Sequence, residues 1–76
     1  MTIQILGPGC RNCELLAQRV EEAARALGVQ YHIEKITDYA EMAKFPIAGT
    51  PALVVDGVVR ISGHVPSVSR LRSMLS

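Results

Sequence analysis

An α/β fold with the element order βαβαββα is predicted by three features of the chain. A short apolar strand runs directly into a long segment of helical period, an Asp56-Gly57 turn joins two β-branched runs, and the C-terminal segment returns to helical spacing. Thr2 to Leu6, apolar or β-branched at alternate positions and closed by the breaker cluster Gly7-Pro8-Gly9, reads as the first strand. From Cys13 onward, Leu16, Ala17, Val20, Ala23, Ala24 and Leu27 recur at steps of three and four, with Glu14, Gln18, Glu21, Glu22 and Arg25 on the other faces. Gly28 supplies the stop of this first helix.

Val29, Tyr31 and Ile33 alternate with Gln30, His32 and Glu34, the period of a half-buried second strand that ends at Lys35-Ile36. Asp38, with Glu41 after it, has the form of a capping box opening a short helix through Tyr39, Met42 and Ala43, which Pro46 closes. Ala52 to Val55 is a continuous apolar run, Asp56-Gly57 a hairpin turn and Val58 to Ile61 the returning strand. After Ser62-Gly63-His64-Val65, Pro66 suits the first turn of a last helix with Val68, Leu71, Met74 and Leu75 toward one face. Tyr39, the apolar helix positions and the β-branched residues of the last two strands are expected in the core.

No repeat, linker or low-complexity segment interrupts this pattern, so residues 1–76 read as a single domain. A chain of that size buries only about 60% of the surface its unfolded form exposes. Its 49% hydrophobic content suffices for one core. The N-terminus has no basic segment followed by an apolar run of signal length, and charges interrupt every later stretch that might span a membrane. The expectation is a soluble, cytoplasmic monomer. Net charge is +1, and the densest basic cluster is Arg70 with Arg72, which gives no footprint for nucleic acid.

Cys10 and Cys13, spaced C-x-x-C at the junction of the first strand and first helix, are the two cysteines of the chain. Two intervening residues let the sulfurs meet across one helical turn, so the pair can close or open without rearranging the fold. As a staple the bridge is poor, because so short a loop constrains the unfolded chain very little. In a reducing compartment such a pair is more often catalytic, redox-sensing or metal-binding than structural.

The segments Gly7-Pro8-Gly9-Cys10-Arg11-Asn12-Cys13, Thr50-Pro51-Ala52-Leu53-Val54-Val55, Asp56-Gly57 and Gly63, in this order, resemble the small thioredoxin-like proteins of the redox-active disulfide family. The resemblance covers essentially the whole chain. It implies a minimal thioredoxin fold, with a four-stranded mixed sheet and three helices, and a cis Thr50-Pro51 bond. It also implies thiol-disulfide oxidoreductase activity with no cofactor beyond the redox-active disulfide. The partners it implies are protein disulfide substrates and a reductase, either a thioredoxin-reductase-like flavoprotein or the glutathione system. The chain departs from thioredoxins proper in carrying Gly9 where they have Trp, Arg11-Asn12 where they have Gly-Pro, and no acidic residue within Thr2 to Leu6. Val65-Pro66-Ser67 likewise lacks the acidic residue with which glutaredoxins hold glutathione.

A thiol attacks as its thiolate, and the start of a helix acidifies a cysteine through its dipole and free N–H groups. Cys10 is therefore assigned as the nucleophile, and Cys13, on the apolar face, as the resolving thiol. Arg11 and Asn12 are expected to tune the pair, the exposed guanidinium only weakly. On the residues alone Pro51 reads as the first residue of a strand. By the resemblance it faces the sulfurs, and a cis bond turns the Thr50 N–H and C=O outward to pair with an extended substrate. Gly9, Ile47, Ala48 and Gly49 are candidates for an apolar docking rim, with Ile47 equally readable as core. Gly63 is either a close-approach glycine beside the site or a turn residue.

Two other functions use the same cysteines. One is a soft-metal module for Cu(I), Hg(II) or Zn(II), although copper carriers with C-x-x-C have a βαββαβ order and a Met before the motif, and structural zinc needs four ligands. The other is a redox-sensing interaction domain. His32 on the polar face of the second strand and His64 in a loop are expected to be solvated. No metal site is assigned.

Overall fold

The computed structural model describes residues 1–76. The elements are β1 (Thr2–Leu6), α1 (Arg11–Leu27), β2 (His32–Ile36), α2 (Tyr39–Met42), β3 (Ala52–Val55), β4 (Val58–Ser62) and α3 (Val68–Leu75). Their order is the expected βαβαββα. The strands form one sheet in the order β2-β1-β3-β4, with β1 parallel to β2 and antiparallel to β3, and β3 antiparallel to β4. This mixed four-stranded sheet with three helices is a minimal thioredoxin fold.

Strand alternation divides the interior into two cores. On one face Ile3, Ile5, Leu53 and Ile61 meet Leu16, Val20 and Ala24 of α1 and Leu71 and Leu75 of α3. On the other, Leu6, Ala52 and Val54 meet Met42 of α2, with Ile36, Phe45, Ile47 and Val59 packed around them. A β-bulge between β3 and β4 pairs Leu53 with Ile61 but Val54 with Val59, leaving Arg60 as the extra residue. That insertion explains why Val59 and Ile61, two apart on one strand, serve opposite cores.

Several boundaries differ from the sequence expectation, each for a physical reason. β2 begins at His32, not Val29, because its parallel partner begins at Thr2, which pairs with His32. Val29 and Tyr31 pack against the larger core from the preceding loop. Asp38 caps α2 by accepting from the Ala40 N–H (3.0 Å), whereas Glu41 pairs with Lys44 (3.0 Å), so the reciprocal half of the capping box does not form. Ala43 is the C-cap of α2. Pro66 precedes α3 instead of opening it. Ser67 is the cap, its Oγ accepting from the Arg70 N–H (3.2 Å), and the Pro66 carbonyl accepts from Arg19 of α1 (3.1 Å).

Two expected core residues are on the surface. Tyr39 is 72% exposed and Val58 58% exposed. A helix of four residues seats one side chain on the sheet, and Met42 takes that place. Val58 opens an edge strand immediately after the turn. That turn has Asp56 at φ 49° and Gly57 at φ 84°, both in the left-handed region that a two-residue hairpin needs. Asp56 also locks the turn to β1, its Oδ1 accepting from the Thr2 N–H and its own N–H donating to the Thr2 carbonyl, both at 2.8 Å.

Candidate active site

The site forms where β1 ends, α1 begins and β3 begins. Cys10 is the N-cap of α1, with extended backbone (φ −73°, ψ 170°), and its Sγ accepts from the Cys13 N–H at 3.4 Å. Two free thiols result, with their sulfurs 2.6 Å apart, Cys10 exposed and Cys13 buried. The helix geometry accounts for this pairing, because residues three apart lie on one face, one turn above another.

The two thiols differ in acidity. The Cys13 thiol donating to Cys10 lowers the Cys10 pKa, and the backbone N–H groups of Cys13 and Asn12 add to the effect. Burial raises the Cys13 pKa, and its bond to Cys10 raises it further because the proton is held between the sulfurs. Cys10, the exposed sulfur, is therefore the more acidic of the two and Cys13, the buried one, the less. Arg11 is the first residue of the helix and is exposed, as is Asn12, whose part in acidifying Cys10 is played by its backbone.

Gly7 is the residue that sequence reasoning missed. Its N–H donates to the Ile36 carbonyl (3.0 Å) and ties the end of β1 to β2. A Cβ built on it overlaps Cys13 Sγ, lies 3.2 Å from Cys13 Cβ and lies 3.9 Å from Pro51 Cα. The bare backbone of Gly7 is thus the floor on which Cys13 and Pro51 both rest. The alternation that places Ile3 and Ile5 toward α1 continues to position 7, where glycine in place of a third apolar residue signals close approach.

Pro51 is buried, and the Thr50-Pro51 bond is cis, as the resemblance implied. Thr50 is exposed and makes no backbone hydrogen bond. Gly63 donates its N–H to the Pro51 carbonyl at 2.9 Å and has φ 87° with open space where a Cβ would be. It is therefore a turn glycine joined to the Pro51 segment and not one pressed against a sulfur. Gly9 is exposed, has φ 88° and likewise has open space around it. Ile47 belongs to the smaller core as a half-buried member, while Ala48 is exposed and Gly49 half-buried.

Beside Cys13 a cavity of about 20 Å³ lies between the Gly7–Gly9 turn and the ion pair of Lys35 with Glu14 (3.2 Å). Such a volume is about the size of one water molecule. His32 is exposed, 3.7 Å from Glu34, and His64 is exposed. No three His, Cys, Asp or Glu side chains gather into a metal-holding group, so the soft-metal reading finds only the two sulfurs. No helix is long and apolar enough to cross a membrane.

Comparison with known proteins gives the family relationship. The family model described as a thioredoxin domain matches residues 1–76. A protein of Methanothermobacter thermautotrophicus named thioredoxin is 37% identical over 76 residues, covering 100% of this chain and 99% of that protein. A second thioredoxin, from Methanocaldococcus jannaschii, is 33% identical over 75 residues, covering 99% of this chain and 86% of the relative.

Proposed function

The chain belongs to the thioredoxin family and is a thiol-disulfide oxidoreductase, and from that premise we propose that it reduces protein disulfides through Cys10 and Cys13. The observation that carries this reading is the placement of an acidified, exposed sulfur 2.6 Å from a buried one at the start of α1.

The Cys10 thiolate attacks one sulfur of a substrate disulfide, forming a mixed disulfide and releasing the other substrate sulfur as a thiolate. Cys13 then gives up its proton to water and attacks Cys10 Sγ. The Cys10–Cys13 bond forms, the mixed disulfide breaks, and the second substrate thiolate leaves. Two electrons have passed from the dithiol to the substrate, and the sulfurs are the only redox groups the step uses. A reductase, flavoprotein or glutathione-based, restores the dithiol by the reverse exchange.

Docking is assigned to Thr50 and Pro51 with Gly9 and Gly63 at the rim. Thr50 offers an unpaired N–H and C=O to an extended substrate segment, and Pro51 has no N–H to compete at the sulfur. Arg11 and Asn12 follow the nucleophile in the first turn of α1 and are assigned to tune it, Asn12 through its backbone N–H. The working compartment is the reducing cytoplasm, where a dithiol of this kind stays available.

The test is reduction of a disulfide-bonded protein such as insulin by the pure chain. The reduced chain should lose its thiols in a ratio of one Cys10–Cys13 pair per substrate disulfide, and should turn over when dithiothreitol is supplied. A rate no faster than dithiothreitol alone sinks the proposal.

A further inference from the structure

Between the end of α2 and the start of β3 the chain crosses an irregular segment that leads through Thr50 into Pro51, which lies with Cys13 against Gly7. Irregular backbone keeps a defined shape only when its polar groups find fixed partners. In Ala48, Gly49 and Thr50 the backbone groups bonded within the chain are the N–H of Ala48, the N–H of Gly49 and the C=O of Gly49, and all of them end on one hydroxyl. That hydroxyl is Ser62 Oγ, which accepts from Ala48 (2.8 Å) and Gly49 (3.1 Å) and donates to the Gly49 carbonyl (3.3 Å).

Ser62 is well placed for this. It is the last residue of β4, paired in register with Ala52 of β3, so its Cα is held by the sheet. It is half-buried, and its two bonds to Gly49 are partly shielded from water. The next residue, Gly63, bonds the Pro51 carbonyl at 2.9 Å, so the segment is gripped by neighbouring residues on either side of Thr50. A hydroxyl has one donor and two acceptor sites, and the contacts at Ser62 use each of them.

We propose that Ser62 is the positioning residue of the substrate-docking segment, holding Ala48 and Gly49 so that Thr50 presents its free N–H and C=O in the geometry an extended protein substrate needs. The inference rests on the assignment of Thr50 and Pro51 to docking. Ser62 makes no hydrogen bond to either sulfur, so it acts on recognition and not on the electron transfer. A small disulfide that reaches Cys10 without pairing along Thr50 is indifferent to it.

The experiment compares Ser62→Ala and Ser62→Thr with the parent chain on insulin and on a small disulfide such as cystine. Each net hydrogen bond contributes modestly, and three lost together should raise KM for insulin by about tenfold in Ser62→Ala. The rate constant kcat, the activity on cystine and the equilibrium of the cysteine pair with glutathione should stay as they are. Ser62→Thr, which keeps the hydroxyl on a residue that favours strands, should restore KM. Equal losses on insulin and cystine, or a shifted thiol equilibrium, would overturn the proposal. An independent readout is hydrogen exchange at the Ala48 and Gly49 amides, which should quicken in Ser62→Ala and recover in Ser62→Thr. Unchanged exchange would refute the positioning role even if insulin proved not to be a substrate, whereas quickened exchange without insulin reduction in the parent chain would refute only the docking assignment.

Discussion

Cys10→Ser is expected to abolish disulfide reduction completely, while Cys13→Ser keeps the attack and loses the release. The asymmetry follows from the environments of the two sulfurs. Cys10 is exposed and acidified by the Cys13 thiol and by helix N–H groups, whereas Cys13 is buried and held protonated. A serine hydroxyl does not ionise in this range, and the remaining Cys13 is both shielded and a poor source of thiolate. In Cys13→Ser the mixed disulfide has no neighbour to resolve it. One substrate half should remain on each chain, visible as a mass increase that dithiothreitol reverses and mapped to Cys10. Cys13→Ala should in addition move the titration of Cys10 upward, since the first cause of its acidity is gone. Alkylation of Cys10 at pH values below its titration should then slow. Turnover by Cys10→Ser, or an adduct mapped to Cys13, contradicts the assignment.

Gly7→Ala should destabilise the reduced protein by about 1–3 kcal/mol, the usual cost of forcing a methyl into a packed interior. Gly7 is not in the left-handed region of φ, so alanine meets no backbone strain there. By limiting the unfolded chain it should, if anything, stabilise by about 0.4–1 kcal/mol. A net loss therefore reports the contact itself, because the new Cβ falls on Cys13 Sγ. Urea denaturation of Gly7→Ala in the parent and in Cys13→Ala separates the two effects. With the sulfur removed the nearest atom is Cys13 Cβ at 3.2 Å, and the penalty should fall by at least half. The difference is the coupling energy between the residues. In the active chain the displaced sulfur should also resolve mixed disulfides more slowly. The same destabilisation in both backgrounds would show that Gly7 does not form the floor beneath Cys13.

The cysteine pair and the order of elements were legible because each rests on local pattern: spacing three apart at a strand–helix junction, helical period in α1, and Asp56-Gly57 between apolar runs. The unequal burial of Cys10 and Cys13 was legible too, since Cys13 continues the apolar stripe of Leu16 and Val20. What stayed hidden depends on contacts between segments distant in the chain. Gly7 looked like part of a breaker cluster because the sulfur that fills its missing side chain comes from the following helix. Ser62 looked like a loop residue because its partners Ala48 and Gly49 lie 14 and 13 residues earlier in the chain. Arg60 gave no sign of a bulge, and so Val59 and Ile61 could not be assigned to opposite faces from alternation alone. Tyr39 was misplaced by its hydrophobicity, which says nothing of how few side chains a one-turn helix can seat.

The account depends on Cys10 and Cys13 giving up and regaining one electron pair together, as a dithiol that closes into an internal disulfide. Equilibrating the pure chain in a series of glutathione redox buffers, then quenching with acid and counting thiols by mass, tests this most directly. The account predicts one two-electron transition from dithiol to an intramolecular Cys10–Cys13 disulfide, with no glutathione left attached at either end. A chain that keeps both thiols throughout the series, or accumulates stable glutathione adducts in place of the internal bond, would contradict it.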